Sequence, residues 1–459
     1  MIKFGTDGWR AKIAEEFTFE NVEKVTAAFV KYLNESEDID PRLRNGIAVG
    51  YDNRFQSEHF AKTAADTCAK LGIKTFLTKY AVSSPLLSFA VAHNKLAAGI
   101  MITASHNPPE WNGFKIKESF GGSARPEVTR AVEKNLSSAL PTPMPTPAPL
   151  FPIDPKPDYF AHIEKLVDLK AIAESKVRAV VDPMFGSGAH HIKELLGKYK
   201  MEVEEIHANR DPLFGGVNPE PLPINLEDTI SFMKTYDQVF STCIVLDGDG
   251  DRVSAIDPSG TFITSHNVFS LLLKHLVENR KMQGKIVKTF NISRLVEKQA
   301  KKYGIEIIET PIGFKYIADL MLKEKIIIGG EESGGMGIMG HLPERDGTLC
   351  GLLLLELMAK TGYNLKQILN QIMDELGHYY YSRIDLHLSS SPRLRSMETF
   401  AGRKITKIET LDGTKLNFED ESWILFRPSG TEPLLRIYAE ARSMEDVQAL
   451  LGAGENLVT

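Results

Sequence analysis

GIMITASHNPPEWNGFKIK, residues 99–117, decides how the chain is read. Ile100, Met101 and Ile102 form an apolar, β-prone run that predicts a buried strand. The run then breaks at once into Thr103, Ala104, Ser105, His106, Asn107 and two prolines. A strand that delivers a hydroxyl and an imidazole into a loop stiffened by Pro108 and Pro109 can present a nucleophile. The same residues can also make a turn in which Ser105 and Asn107 bond their own backbone. The rest of the chain has to decide.

Around this stretch, strand-like and helix-like segments alternate. A strand is expected at Ile47–Tyr51, a helix with a Ser cap at Ser57–Leu71, a strand at Ile73–Thr78 and a helix at Pro85–His93. This is a βαβ pattern, which implies a doubly wound α/β layer. Residues 141–157, PTPMPTPAPLFPIDPKP, hold so many prolines that they read as a semi-rigid linker interrupting helix and sheet. A second α/β unit runs from a helix near Tyr159 through a strand at Val177–Asp182 to Cys243–Leu246. A hairpin around Asp257–Gly260 opens a third, with strands at Lys285–Phe290, Ile305–Glu309 and Ile326–Ile328 and an apolar helix from Leu349. After about residue 378 shorter strands end in a helix. The expected fold is thus α/β: three related α/β domains at 1–140, 158–253 and 254–376, and a smaller α+β domain at 377–459.

Length and composition agree with several domains of ordinary globular type: 459 residues, 42% hydrophobic and 25% charged. The net charge of -6, from 54 basic and 60 acidic residues, gives no footprint for nucleic acid. Cys68, Cys243 and Cys350 are odd in number and far apart, so neither a disulfide framework nor a CxxC metal site is expected. MIKFGTDGWRAK has no apolar leader, and the longest apolar run, 349–359, is interrupted by Glu356. No membrane association and a cytoplasmic location are expected.

Three later motifs bear on chemistry. In LDGDGDR, Asp247, Asp249 and Asp251 stand at i, i+2 and i+4, with Gly248 and Gly250 letting the backbone curl so that three carboxylates converge. Oxygen-only ligands favour Mg²⁺ over zinc. An EF-hand is excluded by Arg252 at the sixth loop position and Pro258 at the twelfth. In GEESGG, residues 330–335, Glu331 can accept from two vicinal sugar hydroxyls and Ser333 can donate or accept. RPSGTEP, residues 427–433, has the composition of a phosphate cradle, with Arg436 close behind. FGSGA, residues 185–189, lacks the rest of a dinucleotide fingerprint and reads as a tight turn.

TASHNP, DGDGDR, GEESGG and RPSGTEP, in this order, resemble the α-D-phosphohexomutase superfamily of phosphoglucomutases and phosphomannomutases, and the resemblance runs from GTDGWR at residues 5–10 to Arg436. It implies four domains around a central cleft. Ser105 would carry a phosphoryl group, and Asp247, Asp249 and Asp251 would hold Mg²⁺ together with an oxygen of that phosphate, with Arg252 beside it. Glu331 and Ser333 would contact sugar hydroxyls, and Arg427, Ser429, Gly430 and Thr431 would hold the phosphate that is not reacting. Thr6, Arg10, His106 and Lys115 match positions used around the phosphoserine. ETPIGFKYI, residues 309–317, looks like the sugar-specificity loop of phosphoglucomutases, which makes Gly313 and Lys315 candidates. In HLPERDG, residues 341–347, Arg345 stands where a basic residue contacts phosphate.

One departure matters: Gly335 stands where bacterial dual-specificity relatives carry a histidine, so Lys115, and after it His341, become the proton-transfer candidates. The implied activity interconverts hexose 1-phosphate and hexose 6-phosphate, glucose favoured over mannose, through a hexose 1,6-bisphosphate. The partners are small sugar phosphates, and nothing indicates an oligomeric state. Two other readings compete. A phosphatase of the haloacid-dehalogenase type would use Asp247 as nucleophile, but Asp251 misfits that motif. A sugar-phosphate sensor without turnover is the second.

Overall fold

Ala98–Ile102, the strand before Ser105, lies inside a six-stranded mixed sheet in the computed structural model, which describes residues 2–5, 8–35, 40–236, 239–387, 397–428 and 434–458. It pairs parallel with Ile47–Tyr51 on one side and antiparallel with Trp111–Glu118 on the other. All five of its residues are buried, as a strand covered on both faces requires. The order continues to Trp9–Lys12 at one edge and through Thr75–Thr78 to Leu150–Ile153 at the other. That last strand corrects the linker reading: Leu150–Ile153 pairs parallel with Thr75–Thr78, with Pro152 facing Leu77. Proline is tolerated because the strand is an edge, with no neighbour on its outer side to miss the absent N–H.

The second sheet has five strands, ordered Phe262–Ile263, Val253–Ile256, Ser241–Leu246, Arg178–Asp182, Val203–Glu205. The hairpin expected to open the third domain therefore belongs to the second, since Val253–Ile256 is hydrogen-bonded to Ser241–Leu246. The third sheet orders Ile307–Thr310, Lys285–Thr289, Ile326–Gly330 and Met336–Ile338. The fourth is antiparallel, ordered Tyr380–His387, Leu434–Ala441, Trp423–Pro428, Thr414–Phe418, Arg403–Glu409, Thr399–Phe400, with helix Met444–Val458 against it. Three α/β units and a smaller α+β unit result.

Helix Gly347–Thr361 is buried on nearly every side, and joins the second and third units in one core with parts of the first. Its interrupting Glu356 is paired inside, 2.7 Å from Arg280 Nη2 and 3.4 Å from His275 Nε2. A helix apolar all round is accounted for by burial between units, not by a bilayer. Among the described residues no helix is long and apolar enough to cross a membrane.

Candidate active site

The antiparallel pair Ala98–Ile102 and Trp111–Glu118 is closed by residues 103–110, so Ser105 stands at the tip of a strand end and Lys115 faces Met101 in the register. Ser105 is 1% exposed and holds a left-handed backbone, φ +54°. A non-glycine residue keeps that conformation only where its surroundings enforce it. Here the enforcement comes from Arg54, a fully buried side chain just after strand Ile47–Tyr51. Its Nη2 donates to the carbonyls of Ser105 (2.7 Å) and Asn107 (2.6 Å), and its Nη1 to those of Pro108 (2.8 Å) and Trp111 (3.1 Å). Asp52 lies 3.2 Å from Arg54 Nε, and accepts from Thr103 Oγ1 at 2.5 Å and Ser57 Oγ at 2.8 Å. Ser57 is thus no helix cap. Gln56 occupies the cap position, and the Ser57 hydroxyl serves Asp52 instead.

Ser105 Oγ donates to Asp247 Oδ2 at 3.0 Å, across the border between the first and second units. Asp247, Asp249 and Asp251 are all buried, with one oxygen from each lying within 4.8 Å of the others. Asp249 Oδ2 accepts from Lys115 Nζ at 2.8 Å and Ser84 Oγ at 2.5 Å. Asp251 Oδ2 lies 2.9 Å from Arg345 Nη2 and 3.7 Å from Lys115 Nζ. Arg252 Nε lies 3.8 Å from Asp247, and its Nη1 3.4 Å from Glu220. Burial and the charges of Asp249 and Asp251 push the Asp247 carboxyl well above the usual range. Burial acts the same way on Asp249, but the Lys115 ammonium outweighs it and holds that carboxyl below the range. Asp249 Oδ1 and Asp251 Oδ1 are buried and accept no hydrogen bond among the described residues. Orphaned carboxylate oxygens of this kind, converging from one loop, suit a hard divalent cation.

The sugar-loop candidate lies against this cluster. Residues 252 and 335 form an antiparallel bridge, and Val253 N donates to Gly334 O at 3.1 Å. Glu331 lies 3.6 Å from Arg345 Nη1, and Ser333 follows it in the same turn. A Cβ at Gly335 would meet Arg345 Cδ at 2.2 Å, so the Arg345 stem fills the space a side chain there would take. Arg345 is also carried by its neighbour: Glu344 accepts from Lys117 Nζ and Ser123 Oγ, both at 2.7 Å, fixing this segment to the first sheet.

The remaining candidates lie further out. Arg10 Nη1 donates to Asn107 Oδ1 at 2.8 Å, beside the loop, and His106 is half-buried next to Ser105. Gly313 precedes helix Phe314–Lys323 with φ +136°. Lys315 is half-buried; burial and nearby Arg130 push it below the usual lysine range. Arg427 and Arg436 face each other in register on neighbouring strands of the fourth sheet. Thr6, Ser429, Gly430 and Thr431 lie outside the described residues. His341 engages His162 (3.1 Å) and Asp346 (3.0 Å) rather than the carboxylate cluster.

Sequence reasoning missed Asp52, Arg54, Ser84, Lys117 and Glu344. Asp52 and Arg54 did leave a signal: YDNRF follows the apolar Ile47–Tyr51 just as TASHNP follows its strand.

Comparison with known proteins agrees along the chain. Residues 1–141, 157–260 and 264–376 match the family profiles described as phosphoglucomutase/phosphomannomutase, alpha/beta/alpha domains I, II and III. Residues 392–453 match the C-terminal domain of that family. A phosphoglucomutase/phosphomannomutase of Thermococcus kodakarensis is 31% identical over 459 residues, covering 99% of this chain and 98% of the relative. A Methanopyrus kandleri protein provisionally named phosphoglucosamine mutase is 29% identical, covering 97% and 95%. A crystal structure from Thermus thermophilus, provisionally assigned as a phosphomannomutase, superposes with a TM-score of 0.89 at 37% identity, covering 100% and 99%.

Proposed function

The chain belongs to the phosphoglucomutase/phosphomannomutase family of hexose-phosphate mutases, and from that premise we propose that it interconverts hexose 1-phosphates and hexose 6-phosphates through a phosphoserine at Ser105. Glucose phosphates are favoured and mannose phosphates accepted. The observation that carries the reading is the Ser105 hydroxyl, held 3.0 Å from the first of three buried aspartates.

In the forward half-reaction the bond between phosphorus and Ser105 Oγ breaks as one forms to the free sugar hydroxyl oxygen. The hydroxyl proton passes to a base, for which Lys115 is the candidate. The resulting hexose 1,6-bisphosphate turns over in the cleft and returns its other phosphate to Ser105. Such transfer asks for in-line placement and charge neutralisation more than covalent help. Arg54 fixes the placement through four carbonyls, Arg345, Arg252 and Arg10 supply positive charge around the loop, and Lys115, neutral as the sugar binds, adds its charge beside Asp249 once it has taken the hydroxyl proton. Asp247, Asp249 and Asp251, with an oxygen of the serine-borne phosphate, would hold Mg²⁺, which neutralises charge on the transferred group. His106 adds a donor beside that phosphate. Glu331 and Ser333 would take sugar hydroxyls, with Gly313 and Lys315 biasing the choice of sugar. Arg427 and Arg436, with Ser429, Gly430, Thr431 and Thr6, would hold phosphate.

One badly paired hydroxyl discriminates epimers by only about 1–3 kcal/mol, so glucose over mannose is a bias rather than a rule. The 29% identical relative named for phosphoglucosamine supports glucosamine phosphate as a second reading of the substrate. The test combines intact-mass analysis with an assay of glucose, mannose and glucosamine 1-phosphates under Mg²⁺ and bisphosphate primer. A phosphate on Ser105, lost with activity in Ser105→Ala, is expected. A phosphoryl adduct on Asp247 instead would establish the phosphatase, and no turnover of any of the three sugars would establish the sensor.

A further inference from the structure

The turn between strands Arg403–Glu409 and Thr414–Phe418 is pressed against the phosphate-binding candidate Arg427. Gly413 has φ +91°, and a Cβ there would meet the Phe426 carbonyl at 2.4 Å and Arg427 Cα at 3.1 Å. Only glycine allows so close an approach. It brings the preceding Asp412 alongside the guanidinium, and Arg427 Nε donates to Asp412 Oδ1 at 2.9 Å. The second oxygen, Asp412 Oδ2, accepts from the backbone N–H of Ile312 at 2.8 Å, a hundred residues earlier. Ile312 immediately precedes Gly313 and helix Phe314–Lys323, inside the ETPIGFKYI stretch. One carboxylate therefore spans the third and fourth units, one oxygen on each.

Arg427 needs such a partner. It faces Arg436 directly across the strand pair, an arrangement in which like charges repel. Arg436 has Asp385 3.5 Å from its own Nε. A guanidinium is a rigid plane, so a bond at Nε fixes the orientation of its whole fork of donors.

We propose that Asp412 is a positioning residue for the substrate phosphate that is not being transferred. It sets the plane of Arg427 and fixes the phosphate cradle of the fourth unit at a set distance from the sugar-choosing stretch of the third. The inference rests on the reading of Arg427 as a phosphate holder. It leaves the reacting atoms alone, so its effect belongs in substrate binding and is common to every hexose phosphate.

The experiment measures kcat and KM with glucose 1-phosphate and mannose 1-phosphate for Asp412→Asn, Asp412→Ala, Arg427→Ala and the Asp412→Ala/Arg427→Ala pair. Melting temperatures are recorded alongside. Losing one charge-assisted hydrogen bond should raise KM about tenfold in Asp412→Ala, for both sugars alike, with kcat within about threefold. Asp412→Asn, which has the same shape but no charge, should give a smaller rise. The double variant should be no worse than Arg427→Ala alone. An unchanged KM in Asp412→Asn and Asp412→Ala overturns the proposal, as does a shift confined to one sugar or losses that multiply in the double variant. If Asp412→Ala does not fold, the Asn variant decides. An Arg427→Ala enzyme with normal KM marks a different failure, that of the phosphate-holding reading itself.

Discussion

Arg54→Lys keeps the charge beside Asp52 but removes the fork, which makes it the sharpest test of how Ser105 is held. The Arg54 guanidinium donates to four acceptors, the carbonyls of Ser105, Asn107, Pro108 and Trp111, and lies beside the Asp52 carboxylate. An ammonium has three donors, so at least one of the four carbonyls loses its guanidinium partner, at about 1–3 kcal/mol. The first unit should lose about 1–3 kcal/mol, a fall of about 3–12 °C in its unfolding transition. Activity should fall further than stability, because the left-handed Ser105 depends on those carbonyls for its position, and a shift of about 1 Å in a reacting group costs about a hundredfold. The assay is calorimetry with single-turnover phosphoryl transfer at a temperature where the variant is folded. A variant that melts normally and transfers phosphate at the wild-type rate would show that the loop holds its shape without Arg54.

Gly335→Ala should displace Arg345 from Asp251, since the new methyl overlaps the Arg345 stem. About a tenfold loss of kcat with near-normal melting is expected, and an unchanged kcat would remove Arg345 from the charge balance of the cleft. Chelation should abolish turnover, with Mg²⁺ restoring it better than Zn²⁺, and Asp249→Asn should raise the Mg²⁺ concentration needed for half-activity; full activity in chelator would refute the carboxylate site. Burial alone would raise the Glu344 carboxyl, but Lys117 and Arg345 outweigh it and hold it down to about 2. A folded pKa below the unfolded value gives stabilisation that is complete above the latter and lost as pH falls. Acid should therefore remove on the order of 3 kcal/mol between about pH 4.5 and 2, and acid titration of Glu344→Gln should lack that component.

How much of this was legible follows from where each partner lies in the chain. TASHNP and DGDGDR could be read because their chemistry is local: a strand end, a hydroxyl, and carboxylates two residues apart. Ile47–Tyr51 and the apolar 349–359 run were legible for the same reason, since burial imprints itself on adjacent residues. Ser57 shows the opposite case. Its place before a helix reads as a cap, but a buried carboxylate outcompetes the helix end for the hydroxyl. Pro152 reads as a sheet breaker, and only the edge position of its strand makes it harmless.

The unread part of the site consists mostly of partners for charges. Lys117 finds Glu344 across 227 positions, Lys115 finds Asp249 across 134, and Asp412 finds Ile312 across 100. A buried charge left without its partner is far costlier than either residue is helpful alone, so such partners are constrained even though no local pattern marks them. The motifs therefore mark the atoms proposed to react, while the positions that hold them lie in stretches that look like ordinary strand and turn. A substitution at Arg54, outside every motif quoted above, or at Glu344, next to Arg345 in HLPERDG, is then expected to disturb phosphoryl transfer in the same way as one inside the serine loop.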